Sequence, residues 1–152
     1  VFNKINQHLN QYDPEWVVLV CGENDLDNTS VSVTFQRFMT IVNAIVDTGA
    51  RVVYLGTKPE PDTDDLHSKY RLYDEKIRVK AREMAAASSS QQAPPLVMID
   101  VYPVFETIEE TDPGVLYRND DLHLSKLGYS YWNKWATTAL ADDIGVCIRW
   151  KE

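Results

Sequence analysis

Three short apolar runs, separated by longer stretches of helical periodicity, constrain the fold of this chain more than any other feature. They occupy residues 16–21, 51–55 and 96–100. Strands that are apolar throughout, with no alternation of polar residues, are buried on both faces and belong to parallel sheets covered by helices. The sequence therefore predicts an α/β fold built on a parallel sheet.

Helical patterns fill the intervals between these runs. Apolar residues recur at helical spacing over residues 2–12 and 35–46, and Gly49 follows the second pattern in a C-cap position. A longer helix is expected over residues 70–84. A last helix is expected from about Lys126 to Leu140, with four residues on its inner side: Leu127, Tyr131, Trp135 and Leu140. Tyr131, Trp132 and Trp135 are expected to be packing aromatics of that helix.

Two intervening segments have the composition of loops. Residues 56–65 are rich in Pro and Asp and are expected to form a surface loop, and residues 88–95 a flexible linker. The acidic residues Glu60, Asp62, Asp64 and Asp65 lack the ordered spacing of a calcium loop. A solvated acidic loop is therefore favoured over a cation site, and His8 and His67 are expected to be exposed helix residues.

Composition limits the function classes. The chain has 152 residues, the size of one ordinary domain, and a net charge of -8. That acidity argues against nucleic acid and anionic membranes as partners, and no stretch is long and apolar enough to span a bilayer. Cys21 and Cys147 have no framework spacing and are expected to be free thiols, so they assign no compartment. No Gly-rich phosphate loop supports a nucleotide site.

The predicted sheet is small for its class. Three strands are evident, whereas sheets of this kind commonly have about five. The chain also opens on a helical pattern with no strand before it. We therefore expect the complete protein to contain a further βαβ portion upstream.

Two polar motifs lie where apolar runs end or a helix begins. Gly22-Glu23-Asn24-Asp25 follows the first apolar run, and Asp120-Asp121-Leu122-His123 precedes the last helix. Polar side chains at the ends of parallel strands collect along one rim of the sheet. Asn24, Asp120 and His123 are therefore expected to meet, although about a hundred residues separate them.

Each motif has two interpretations. The Asp120-x-x-His123 spacing lets the carboxylate accept from one imidazole nitrogen and leave the other as a base, or the two residues merely cap the helix that begins near Ser125. Asn24 is either a turn former or a donor to an oxyanion, a contact worth about 3 kcal/mol in a transition state. Their joint presence favours a hydrolytic site.

Together these motifs resemble the SGNH (GDSL-type) serine hydrolases, which have a flavodoxin-like α/β fold. Residues 14–20 leading into Gly22–Asp25 resemble the third block of the family, and Asp120–Ser125 with Gly128, Tyr129 and Trp132 resembles its fifth block. The resemblance implies that Asn24 is an oxyanion-hole donor in a loop begun by Gly22. It also implies that His123 is the general base, that Asp120 orients it, and that Asp25 is structural. No metal or organic cofactor is implied.

The nucleophile of that family is not found. It lies in an N-terminal Gly-Asp-Ser block, and a second block supplies an oxyanion glycine, but neither precedes Gly22. Ser130 falls inside the last helix without the second glycine of a nucleophile elbow, Ser125 is better placed as an N-cap, and Ser88–Ser90 lie in the linker. None of these serines is suited to the role.

Two functions follow from the sequence. The first is an SGNH-type esterase or acyl hydrolase acting on small esters, with its serine outside these 152 residues. The second is a catalytically inactive SGNH-like structural or interaction subunit, whose open sheet edge is covered by a protein partner or by self-association. In either case residues 1–152 are expected to be a single SGNH-like domain.

Overall fold

The computed structural model describes residues 2–88, 93–112 and 114–144. Its helices are α1 (Phe2–Tyr12), α2 (Glu23–Asn28), α3 (Val31–Val46), α4 (His67–Ala87), α5 (Tyr102–Thr111) and α6 (Lys126–Ile144). Its strands are β1 (Trp16–Leu19), β2 (Arg51–Leu55) and β3 (Leu96–Ile99), and a 3-10 helix covers Pro61–Leu66.

The three strands form one parallel sheet in the order β1-β2-β3. Val53 in the central strand pairs with Val18 on one side and Val97 on the other. Four consecutive residues of β2, from Val52 to Leu55, are buried, as expected of a strand covered on both faces. The predicted parallel α/β sheet is therefore confirmed, and its connections through helices give a flavodoxin-like arrangement.

The sheet separates two apolar clusters. On one face Val52 and Tyr54 pack with residues of α1, α3 and α4. On the other face Val53 and Leu55 pack with Phe105 of α5 and with partly buried aromatics of α6. Successive residues of β2 point to opposite faces, which is why neighbouring positions supply different cores. The result is three layers, with the carboxyl ends of all strands at one edge.

Helix α3 begins at Val31, before the predicted residues 35–46, and Gly49 follows its end, as predicted. Ser30 caps its first turn, since its Oγ accepts a hydrogen bond from the backbone N–H of Val33 at 3.3 Å. Gly49 follows that helix with φ of 90°, a conformation that glycine adopts without steric cost. The strands end slightly earlier than predicted, at Leu19 and Ile99.

Helices α2 and α5 were not predicted from periodicity. The six residues of α2 are too few to show a repeat, and α5 begins at Tyr102, although residues 99–102 resemble a strand of the SGNH family by sequence. Pro103 lies in the first turn of α5, where its fixed φ suits a helix start. The predicted inward position of Leu127 is wrong, since this residue of α6 is 43% exposed. The side chain of Leu140 lies outside the described part.

The prediction of a solvated surface loop over residues 56–65 is wrong for residues 56–60, whereas Asp62, Asp64 and Asp65 are exposed as expected. Thr57 and Glu60 are buried, and the 3-10 helix begins at Pro61. His67 is also not exposed: its Nε2 lies 2.9 Å from the Glu60 carbonyl oxygen, and its ring packs edge-on against Tyr102. Polar partners supplied by other elements make this burial tolerable. Within the described residues no group of three or more His, Cys, Asp or Glu side chains is suited to hold a metal.

Three further predictions concern membrane-spanning helices, the cysteines and the linker. Within the described ranges, no helix has both the length and the apolar character needed to cross a membrane. Cys21 is a free thiol, as expected. Cys147, Ser89, Ser90 and the middle of the predicted linker, residues 89–92, lie outside the described residues.

Candidate active site

Both polar motifs border one cleft of about 290 Å³ at the carboxyl edge of the sheet. Asn24 lies in the first turn of α2 (residues 22–26, the Asn24 turn), and His123 lies in the loop before α6. Residues from the end of β2 form part of the floor, and Tyr129 and Trp132 of α6 form one wall. The expected meeting of Asn24 and His123 is thus observed, and Asp120 joins them through its contact with His123.

The Asn24 turn is shaped by Gly22. Gly22 has φ of 122°, precedes α2, and accepts the backbone N–H groups of Asp25 and Leu26 through its carbonyl, both at 3.0 Å. A Cβ on Gly22 would lie 2.4 Å from the Tyr73 ring, so a side chain has no room there. Asn24 itself is exposed, and its amide makes no hydrogen bond to another described residue.

Glu23 holds this turn from the inner side. Its Oε1 accepts the backbone N–H of Lys58 at 2.9 Å, and its Oε2 accepts the Lys58 ammonium at 3.0 Å. Lys58 also pairs with Glu60. Burial raises the pKa of Glu23, and the nearby Lys58 charge offsets part of that rise.

Asp25, the other acidic residue of the turn, faces outward. Its carboxylate lies 3.2 Å from Arg37 of α3, and both side chains are more than half exposed. An exposed ion pair of this kind is worth about 0–1 kcal/mol. Among the described residues the Asp25 carboxylate contacts only Arg37, and this ion pair is weak support for the expected structural role.

The His123 loop is organised by Asp120. Asp120 Oδ1 accepts the backbone N–H groups of Leu122 and His123, at 3.1 and 2.9 Å, while its Oδ2 lies 3.0 Å from His123 Nδ1. The hydrogen bonds from the His123 and Leu122 backbone, followed by that from the imidazole, lower the pKa of Asp120 to about 2. The carboxylate is thus ionised at any ordinary pH and stays available to the imidazole.

Backbone contacts close the same loop. Arg118 N–H donates to the His123 carbonyl at 2.8 Å, and Tyr117 and Leu124 form an antiparallel bridge. Ser125 Oγ accepts the Gly128 N–H at 3.0 Å, which confirms Ser125 as an N-cap. Ser125 therefore caps α6, whereas the Asp120 carboxylate accepts from its own loop and contacts the His123 imidazole, so the pair does not serve merely as a helix cap.

One charged residue of the cleft, Lys58, was not singled out by sequence patterns. It lines the cleft with Glu23 and Glu60, which were named only as part of the first motif and of the acidic loop, and Tyr129, named with the fifth block, lines it as well. Lys58 is the third residue after β2, so the rule that polar residues after parallel strands share one edge would have indicated it. Trp132 packs on the apolar cluster beneath α6, as predicted, and in addition lines the cleft.

Among the described residues, no Ser or Cys lines this cleft. Ser125 Oγ donates to the Val115 carbonyl at 2.9 Å, and Ser130 is exposed in α6. Cys21 lies in a separate cavity, and burial raises the pKa of its thiol to about 11, which disfavours a reactive thiolate. The cleft thus holds an Asp–His pair and an amide donor.

Comparison with known proteins agrees with this geometry. A family model described as GDSL-like lipase/acylhydrolase matches residues 1–136. No curated protein gives a significant match to this chain. The match covers most of the 152 residues, and the chain belongs to the GDSL-like lipase/acylhydrolase family, a family of hydrolases.

Proposed function

We propose that this member of the GDSL-like family provides the base and an oxyanion donor of a serine esterase that cleaves small carboxylic esters. The nucleophilic serine would come from outside these 152 residues. The observation that carries the proposal is the Asp120–His123 pair, with its 3.0 Å contact, beside the Asn24 amide in one cleft.

His123 would act as the general base. The ionised Asp120 accepts a hydrogen bond from Nδ1–H, which leaves Nε2 unprotonated and able to take the proton of an attacking hydroxyl. The imidazolium formed in this step would be stabilised by the same carboxylate. Nε2 would then return the proton to the leaving alcohol.

Asn24 would stabilise the charge that develops on the ester. Its amide N–H groups are suited to donate to the tetrahedral oxyanion, and a donor of this type contributes about 3 kcal/mol to the transition state. Gly22 lets the chain turn sharply before α2, so the amide reaches the cleft. Tyr129 and Trp132 provide apolar surface beside it for an acyl or alkoxy group.

The test is hydrolysis of a short activated ester by the full-length protein. His123→Ala should lower kcat by about 10⁴-fold or more, because the base and its orientation are lost together. His8→Ala is the matched control, since His8 lies on α1 and is exposed. Unchanged turnover in His123→Ala would contradict the assignment.

The open edge of β1 favours the second candidate, a structural or interaction subunit. In the described residues β1 pairs with β2 alone, and Val18 and Val20 beside that edge are 49% and 53% exposed. Exposed apolar strand edges pair readily with other strands. An inactive full-length protein, isolated in a stable assembly with protected β1 amides, would support this function, whereas unprotected amides would oppose it.

A further inference from the structure

Lys58 lies at the junction between the two motifs of the cleft. Both its backbone N–H and its ammonium donate to Glu23, the residue directly before Asn24, at 2.9 and 3.0 Å. Two hydrogen bonds between the same pair of residues fix orientation as well as distance. The segment that follows β2 is therefore attached to the Asn24 turn at two points.

These contacts are shielded from solvent. The side chains of Lys58, Glu23 and Glu60 are 16%, 18% and 7% exposed. Burial alone would lower the pKa of the Lys58 ammonium, but the neighbouring Glu23 and Glu60 carboxylates outweigh it and leave the pKa raised. Buried ion pairs lose much of their value when one partner is removed, because the remaining charge is left uncompensated.

The segment that follows Lys58 reaches the other motif. Glu60 accepts the Lys58 ammonium and also the Tyr70 hydroxyl, at 3.3 Å for the latter, so its side chain is held from two elements. Two residues later, Asp62 N–H donates to the Asp121 carbonyl in the His123 loop at 3.1 Å. Residues 58–62 thus contact both the Asn24 turn and the His123 loop.

We propose that Lys58 is a positioning residue, which holds the Asn24 turn and the His123 loop at a fixed separation across the cleft. The effect of Lys58 on catalysis rests on the proposed function, whereas its role in holding the Asn24 turn and the His123 loop together does not. Asn24 must meet the oxyanion and His123 the attacking hydroxyl at the same moment, so their separation affects the transition state more than substrate binding.

The catalytic test compares Lys58→Met with Lys58→Arg in the full-length protein. Displacement of a catalytic group by about 1 Å can cost about 100-fold, so we expect Lys58→Met to lower kcat by about 10- to 100-fold. KM should stay within about twofold, because the interactions made equally with the bound substrate and the transition state are not altered. Lys58→Arg, which keeps the charge and its donors, should recover part of the loss.

Lys69→Met is the matched control. Lys69 also donates its ammonium to α2, at 3.0 Å from the Leu26 carbonyl, but it does not line the cleft. This variant should retain the wild-type kcat. Equal losses in Lys58→Met and Lys69→Met, or an unchanged kcat in Lys58→Met, would overturn the proposal.

Amide hydrogen exchange separates this proposal from the proposed function. Glu23→Gln removes the ion pair with Lys58 while leaving Lys58 paired with Glu60, so it is the milder variant if Lys58→Met does not fold. It should accelerate exchange in both segments, residues 22–26 and 120–123. If the wild-type protein proves inactive, the proposed function fails, and exchange alone decides: unchanged exchange at 120–123 would overturn the coupling.

Discussion

The Asn24 turn and the His123 loop face the same cleft but are held in different ways. The Asn24 turn depends on residues distant in sequence, with Tyr73 against Gly22 and Lys58 against Glu23. The His123 loop is closed mainly by Asp120 and by nearby backbone groups, and its Asp120 and His123 side chains are 49% and 61% exposed. Tertiary packing therefore maintains one half of the site, and local turn chemistry maintains the other.

The largest expected effect comes from Asp120→Asn, and it concerns rate. The Asn oxygen can still accept from the backbone N–H groups of Leu122 and His123, but its amide then faces His123 Nδ1 and favours the wrong tautomer. We expect kcat for an activated ester to fall by about 10⁴-fold in the full-length protein. The melting temperature should change little, because the loop is exposed and its backbone bonds remain.

Asp121→Asn is the control for that variant. It makes the same change of charge one residue away, where the backbone φ of 53° suits Asn as well as Asp. This control should keep the wild-type kcat. An Asp120→Asn protein as active as the control would show that the local pair does not orient the base.

The next-largest effect is on stability. It compares Gly22, which packs against Tyr73, with Gly49, where an added Cβ has no neighbouring atom within 4 Å. Gly22→Ala places a Cβ 2.4 Å from Tyr73 at a φ of 122°, whereas Gly49→Ala has a φ of 90° and no atom within 4 Å. We expect the free energy of unfolding to fall by about 3–4 kcal/mol for Gly22→Ala and by about 1–2 kcal/mol for Gly49→Ala.

Urea unfolding of the full-length variants measures this difference. Equal losses at the two glycines would mean that backbone conformation alone accounts for the cost. In that case the contact with Tyr73 would not contribute to holding the Asn24 turn.

A smaller change in the free energy of unfolding, about 2–3 kcal/mol, is expected from the titration of Asp74. Asp74 accepts hydrogen bonds from Tyr54 and from Thr57, the residue before Lys58, yet burial raises its pKa to about 6. The folded protein therefore keeps this proton to higher pH than the unfolded chain does. This contribution to stability is present below about pH 4 and is lost as the pH rises through about 6.

Asp74→Asn isolates that contribution. As the pH rises from about 4 to about 7, the unfolding free energy of the wild type should fall relative to that of the variant. Urea titrations at several pH values measure it. A difference that does not vary with pH would show that Asp74 titrates alike in the folded and unfolded states.

Much of the fold was predictable because its signals are local. The apolar runs predicted the three strands and their parallel arrangement, and Gly49 marked the end of α3. The Asp120-x-x-His123 spacing likewise predicted a contact that is observed at 3.0 Å. Helix α5 was not predicted, since its signal is a single Pro103 near its start.

The buried charges were not predictable in the same way. By composition, residues 56–65 indicate a solvated loop, and Glu60 is nevertheless buried because Lys58 and Tyr70 supply its partners. A charged side chain enters the interior only where compensating groups meet it, and here Tyr70 of α4 and Glu23 of α2 complete the set that Lys58 begins.

The sequence by itself therefore determined the parallel α/β fold and the Asp120–His123 pair, because each depends on neighbouring residues or on simple periodicity. Only the tertiary structure decided that Lys58 contacts Glu23, 35 residues away, and that Asp62 contacts the His123 loop. Contacts between distant segments depend on how the helices and strands pack, and no local pattern encodes that packing.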